Sequence, residues 1–245
     1  MIDGLYSAAS GMNAQQGRMD SISVDLANLN TIGYKSQHYG FLELLYQAQG
    51  PNRSILGGGV GSGVAGGIID RAMTQGAING TTNPFDLAIE GAGFFQVRLA
   101  DGTIGLTRDG NFTLDSSRRL ATTNGNLLVP NLTIPADVPI DDVAVAADGT
   151  VSVSGKQIGK VVLVNVAAPE RLTSLGSNLF AVNTNSGTAR VGGTGVIKQR
   201  ALEGSNTDVA QSLTDMIQTQ RAYDLCSRAV RTWDDMLQTA NQIKR

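Results

Sequence analysis

Few side chains in this sequence are suited to chemistry. His38 is the single histidine and Cys226 the single cysteine. A nucleophile–base relay needs a histidine beside a serine or cysteine, and a zinc centre needs three or four nitrogen and sulfur ligands. One residue of each kind completes neither set within one chain. His38 sits in a polar stretch that reads as a surface loop. Cys226 falls between Ala222 and Ala229 on a helical spacing and is expected to be a structural thiol. Gly61-Ser62-Gly63-Val64-Ala65-Gly66 has the G-x-G-x-x-G form. That form cradles a pyrophosphate only when a strand precedes it and a helix opens on it. Here it lies in a longer glycine run that continues into Gly67-Ile68-Ile69-Asp70, with no helix start, and it reads as a linker. No Gly-Lys-Ser/Thr follows any glycine loop. Asp141-Asp142 and Asp234-Asp235 are adjacent in sequence, and adjacent side chains diverge on a strand or helix. The residues thus predict no catalytic, cofactor or metal site.

The elements around these residues carry more information. Leu5, Ala8, Met12, Gln15, Met19, Ile22, Leu26 and Leu29 recur at steps of three and four. So do Val209, Leu213, Met216, Gln220, Tyr223, Ser227, Val230, Asp234, Leu237 and Asn241. This rhythm puts each set on one side of a helix as a narrow seam for another helix. Residues 3 to 31 read as one helix, stopped by Gly33 in the left-handed conformation. Its opposite face, with Arg18 and Asp25, suits water or a polar neighbour. Ser205-Asn206-Thr207-Asp208 fits a capping box, and the second helix runs from there to Ile243. Lys244 and Arg245 then suit the negative end of the dipole. That helix has a second seam of Ala222, Cys226, Ala229, Trp233, Met236, Ala240 and Ile243. Two apolar seams require contact on two sides, and partner copies are favoured as the cover because the chain offers few other helices.

The middle of the chain reads differently. Phe41 to Tyr46 is an apolar cluster, either a short helix or a strand, and Gly57 to Gly67 reads as a loop or an extended arm. Asp101-Gly102, Asp109-Gly110, Asn124-Gly125 and Asp148-Gly149 are hairpin-turn dipeptides. β-rich runs flank them at Phe94–Leu99, Phe112–Leu114, Val143–Val145 and Val151–Val153. Ile158 to Val166 reads as one long central strand. Pro130, Pro135 and Pro139 mark a bend between two β subregions. The expected fold is α+β: long terminal helices paired as an antiparallel coiled-coil-like hairpin, with a β-rich middle. The expected divisions are an N-terminal helix over 1–33, an arm over 34–80, a β-rich domain over 81–203 and a C-terminal helix over 204–245.

Composition narrows the function classes. Charged residues are 16% of 245, and the formal net charge is −2. No basic stripe marks a nucleic-acid binder. No apolar run approaches the roughly 20 residues of a membrane span. The first residues, Met1-Ile2-Asp3-Gly4-Leu5, lack the basic and apolar regions of a cleaved secretion signal, which favours the cytoplasm unless another export route is used.

Several stretches match a known family. Leu26 to Lys35, Asn83 to Phe95, Thr107 to Phe112, Leu120 to Gly125, Leu202 to Asn206 and Met216 to Tyr223 occur in one order along nearly the whole chain. Together they resemble the axial (rod and hook) proteins of the bacterial flagellum, most closely those of the distal rod. The resemblance implies a non-enzymatic subunit, without cofactor, that leaves the cell through the flagellar type III export apparatus. It implies a hollow helical homopolymer, with the terminal helices as inner tube and the β domain outside, carrying torque from motor to hook. Proximal rod proteins and the hook protein would stand at its two ends, with ring or bushing proteins around it, no nucleic acid bound and no membrane insertion. The packing residues would be those of the seams: Leu5, Met12, Met19, Ile22, Leu26 and Leu29; Val209, Leu213, Met216, Tyr223, Val230 and Leu237; and Ala222, Cys226, Ala229, Trp233, Met236 and Ile243. The stretch from Gln47 to Gly67 is short and glycine-rich for this family, and Cys226 and Trp233 stand where smaller or polar residues are usual. A proximal rod protein, or a secreted β-rich fibre or adhesin protein with coiled-coil ends, is the alternative.

Overall fold

The computed structural model describes residues 2–45, 61–136 and 138–243, in two compact units. Tyr46, the stretch from Gln47 to Val60, Lys244 and Arg245 lie outside the described residues.

The first unit comprises Met1–Ala27, Gln37–Asp70 and Asp208–Arg245. It contains helix α1 (Ile2–Ala27), strand β1 (Gln37–Leu45), most of strand β2 (Gly61–Arg71) and helix α2 (Val209–Ile243). β1 and β2 pair as a two-stranded sheet, so the G-x-G-x-x-G stretch is a strand rather than a linker and opens no helix. The glycines suit close packing. A Cβ on Gly40 would lie 1.8 Å from Ile69 Cδ1, and one on Gly66 would lie 2.5 Å from the Tyr39 hydroxyl. His38 is on β1, exposed, and not in a loop. The polar face of α1 meets this sheet. Asp25 accepts a hydrogen bond from the Gln37 amide at 3.1 Å, and Ser10 Oγ accepts one from the Val64 amide at 3.1 Å. The Arg18 guanidinium lies 5.9 Å from the centre of the Phe41 ring.

Both helix ends differ from expectation. α1 stops at Ala27, and Leu29 lies beyond it in a turn. Gly33 does have φ 66°, six residues after the helix, where a Cβ would come 2.7 Å from the Asp109 amide nitrogen. Asp208, not Ser205, caps α2: its Oδ1 accepts from the Ala210 and Gln211 amides at 2.8 and 3.2 Å. Ser205 Oγ instead accepts from the Thr207 amide, closing a local turn.

The second unit comprises Asn28–Ser36 and Arg71–Thr207. Its strands are β3 (Ile78–Gly80), β4 (Leu87–Glu90), β5 (Phe94–Arg98), β6 (Ile104–Thr107), β7 (Phe112–Leu114), β8 (Leu120–Thr122), β9 (Leu127–Val129), β10 (Val143–Val145), β11 (Thr150–Val153) and β12 (Lys156–Lys160). β13 (Leu163–Asn165), β14 (Thr173–Gly176), β15 (Leu179–Ala181), β16 (Arg190–Val191), β17 (Val196–Gln199) and β18 (Ala201–Glu203) follow. The largest sheet runs β14-β15-β6-β5-β9-β8-β7, with β13 on β5 and β16 on β13. β10-β11-β12 form a second sheet, and β17-β4 and β18-β3 are antiparallel pairs.

β5 shows why the unit holds together. Successive side chains of a strand point to opposite faces. Phe95 therefore joins one buried cluster, with Phe112, Leu128 and Ile134, while Phe94 joins another, with Leu106, Val164 and Phe180. The Phe95 and Phe112 rings meet edge to face at 5.2 Å. Asp101-Gly102, Asn124-Gly125 and Asp148-Gly149 do turn paired strands. Asp109-Gly110 does not, because β6 pairs with β5 and β15 while β7 pairs with β8. The run from Ile158 to Val166 is two strands in two sheets. It breaks at Val161, which is buried and donates its amide to Gly149.

Candidate functional site

Apart from Leu29, which belongs to the second unit, the seam residues lie in the first unit and divide into two groups. On α1, Leu5, Met12, Met19, Ile22 and Leu26 are half-buried, as is Leu29 beyond the helix; the deepest positions are Ala14, Ser21 and Asp25. On α2, Met216, Tyr223 and Val230 of one seam share a half-buried face with Ala222, Cys226 and Trp233 of the other. Val209, Leu213, Ala229, Met236 and Leu237 are exposed, as are Ile217 and Leu225, which the seams did not include. Of Ile243 only its place at the end of α2 is described. A Cβ on Gly4 would touch the Trp233 ring at 3.1 Å, and one on Gly11 would lie 3.3 Å from Cys226 Sγ. Arg18 stands 3.9 Å from Asp215. Glycines on α1 thus lie directly beside Trp233 and Cys226 of α2.

Sequence reasoning missed a second arrangement, in the second unit. Glu203 is fully buried, at the end of β18. Its Oε1 accepts from Lys35 Nζ at 2.5 Å and from the Gly76 amide at 3.0 Å, and its Oε2 accepts from Arg108 Nη1 at 3.2 Å. Lys35 and Arg108 are themselves buried. Lys35 Nζ also donates to the Thr74 carbonyl at 2.7 Å, and Arg108 Nη2 to the Gly91 carbonyl at 2.8 Å. The Arg108 guanidinium lies 5.3 Å from the centre of the Phe94 ring. Burial pushes the Lys35 ammonium below its ordinary 10.5, against the pull of Glu203. One carboxylate thus neutralises two desolvated cations in part, and the Thr74 and Gly91 carbonyls take one further donor from each, while Arg108 Nε is buried without a hydrogen-bond partner.

Asn206 extends this arrangement. Its Oδ1 accepts from the Ser36 amide at 2.8 Å, and its Nδ2 donates to the Ala72 carbonyl at 2.7 Å and to Thr74 Oγ1 at 2.9 Å. The Asn206 amide reaches the Tyr34 carbonyl at 3.4 Å, the Ala72 amide the Ser36 carbonyl at 3.0 Å, and the Gly33 amide the Glu203 carbonyl at 2.7 Å. The available sequence signal was that Lys35, Arg108 and Glu203 each lie in a different family-like stretch of a chain with few charges.

Asp109, next to Arg108, behaves oppositely to an exposed carboxylate. Burial raises its pKa from 3.8, opposed by the hydrogen bond from the Asn111 amide and aided by Asp86. Its folded pKa exceeds its unfolded one. Its ionisation therefore lowers stability as pH rises from about 4 through the folded value. Asp109→Asn keeps the acceptor for Asn111 and is expected to raise the urea midpoint at pH 7. The gain should vanish when the titration is repeated near pH 3.5.

Among the described residues no group of three or more His, Cys, Asp or Glu side chains could hold a metal, and no helix is long and apolar enough to cross a membrane. Residues 5–35 match the family described as "Flagella basal body rod protein". Residues 88–153 match "Flagellar hook protein FlgE/F/G D1 domain", and residues 198–243 match "Flagellar basal body rod FlgEFG protein C-terminal". The flagellar basal-body rod protein FlgG of Borreliella burgdorferi is 36% identical, with 100% of each chain covered. That of Buchnera aphidicola (subspecies Acyrthosiphon pisum) is 39% identical over 99% of this chain and 100% of its own. That of Bacillus subtilis is 35% identical over 100% of both. The buried ionic cluster draws on the first and third of the matched segments and on Arg108 within the second. The chain belongs to the family of the flagellar basal-body rod protein FlgG, a structural protein of the flagellar basal body and not an enzyme.

Proposed function

We propose that this chain is a distal rod subunit that polymerises into a hollow helical drive shaft. The shaft passes torque from the motor to the hook and forms part of the export channel. Its neighbours are further copies of itself, proximal rod proteins at one end and hook protein at the other, with ring or bushing proteins around it. The type III apparatus delivers it. Residues 1–33 and 204–245 form the inner tube, 34–80 an arm, and 81–203 the outer β-rich domain.

The observation that carries this reading is the apolar surface left open on α2. Leu213, Ile217, Leu225 and Met236 are 45%, 52%, 66% and 49% exposed. Large exposed apolar surface on a helix marks a contact site. A head-to-tail contact that does not close into a ring generates a helix of subunits. Phe41, Leu42, Leu44, Ile68 and Ile69 on the two-stranded sheet add a second open apolar region. The seam residues, exposed and half-buried alike, are the proposed packing set.

The helices are read as an antiparallel hairpin. Gly4 is set beside Trp233, Gly11 beside Cys226 and Arg18 near Asp215, so numbering falls along α2 as it rises along α1. Gly11→Cys tests this, because its sulfur would lie within bonding reach of Cys226. Mild oxidation of the dilute variant is expected to give an intrachain disulfide. Disulfide-linked dimers alone would favour the parallel fibre bundle instead.

Leu213→Glu combined with Ile217→Glu tests polymerisation. Each buried leucine or isoleucine contributes about 1.5–3 kcal/mol, and each ~1.4 kcal/mol is tenfold in an equilibrium constant. The double variant is expected to raise the concentration at which tubes form by roughly two orders of magnitude, measured by sedimentation and electron microscopy. The circular dichroism of the β-rich unit should stay unchanged. Tubes forming at the parental concentration would refute the role given to this face.

A further inference from the structure

The chain passes between its two compact units four times, after residues 27, 36, 70 and 207. Three of these crossings leave from the same place in the second unit. Ser36 ends one, Arg71 and Ala72 begin another, and Asn206 lies two residues before the last. Asn206 bonds to Ser36, Ala72, Thr74 and Tyr34, and Glu203 bonds to Lys35, Gly76 and Gly33. Arg71 Nη1 adds a bond to the Lys35 carbonyl at 3.2 Å. Residues remote in sequence are thereby fastened directly beside the points where the chain leaves the second unit.

We propose that the Lys35–Glu203–Asn206 knot is a load-sharing clamp, which spreads force arriving along one chain crossing over the other two. This rests on the torque-carrying role proposed above. The physical reason is the arrangement of the bonds. A lone strand under tension loses its hydrogen bonds one after another from its loaded end. Three strands bonded to a common residue can separate only when those bonds fail together, and buried polar bonds that share partners reinforce one another. The knot is thus distinct from the sheet core: it is polar, and it sits where the chain leaves the unit.

Amide hydrogen exchange on the purified monomer tests the clamp without requiring polymerisation. Asn206→Asp keeps an acceptor for the Ser36 amide and removes both side-chain donors to Ala72 and Thr74. In a clamp, the amides of Gly33, Ser36, Ala72 and Gly76 are expected to exchange at least tenfold faster together in this variant, with those of β5 and β9 unchanged. Asn206→Ala should give the same pattern. Unchanged exchange at Ser36 and Gly33 in Asn206→Asp would show independent bonds and overturn the proposal. Faster exchange spreading through β5 and β9 would also overturn it, since the knot would then be part of the core. Cells whose rods are built from the Asn206→Asp chain are expected to complete hooks and to lose them faster in viscous medium. Parental hook retention under load would overturn the clamp and leave the rod assignment intact, whereas failure of the parental chain to form tubes would count against that assignment alone.

Discussion

Replacing Glu203 with glutamine is expected to destabilise the β-rich unit by about 3–5 kcal/mol at pH 7, the usual penalty for leaving a buried charge without its partner. Here two charges lose that partner. Lys35 and Arg108 both lie within 3.2 Å of the carboxylate and are buried themselves. Glutamine offers one acceptor where two are used, and turns an amide NH2 toward a cation. The loss compares with a typical total of about 5–15 kcal/mol, so the variant should unfold at markedly lower urea. The pH dependence identifies the cause. Glu203 supports the Lys35 proton against burial, so without it the folded-state pKa of Lys35 falls further below 10.5. Between that lowered value and 10.5 the unfolded chain holds a proton that the folded chain has released. Stability of the variant therefore rises with pH across this window, and its deficit should narrow toward pH 10. A deficit independent of pH would assign the effect to lost packing instead.

Gly110→Ala should be nearly as damaging, for a steric reason. A Cβ at Gly110 would lie 1.6 Å from the Leu87 carbonyl oxygen and 2.7 Å from its carbon. Those atoms are backbone and cannot rotate away. Leu87 is buried in the core and donates its amide to the Gly110 carbonyl at 3.0 Å, so separating the two segments breaks that bond as well. The expected loss is about 3 kcal/mol, the upper end of ordinary overpacking. Gly67→Ala is the control, with nothing within 4 Å of its Cβ and no positive φ. It should be neutral or raise stability by roughly 0.5–1 kcal/mol. Equal midpoints for the two variants would overturn the reading of Gly110.

The helices were legible because a period of three and four is repeated many times, and repetition outweighs any single residue. Which face turns inward was not. The two seams of α2 are set one residue apart at several turns, as with Ala222 and Tyr223, so one partner half-covers both while Leu213 and Met236 stay open. Turn dipeptides located three hairpins, and Asp109-Gly110 misled because Gly110 serves as a backbone acceptor for Leu87 and Phe112 rather than as a turn. Apolar content made Ile158 to Val166 look like one strand, since alternation within a segment does not reveal a change of sheet at Val161. The ionic cluster was the least legible part. Lys35 and Glu203 are 168 positions apart, Arg108 and Glu203 are 95 apart, and each alone resembles a surface charge.

That separation bears on when the molecule becomes whole. A polypeptide that emerges progressively from its beginning presents Lys35 early and Arg108 midway, and both wait for an acid that arrives near the end. Contacts of such span are slow to find, because a long loop must be closed before they return any energy. A product broken off before residue 203 would hold two positive groups without their anion. Closing this cluster therefore waits until the chain is present through Glu203.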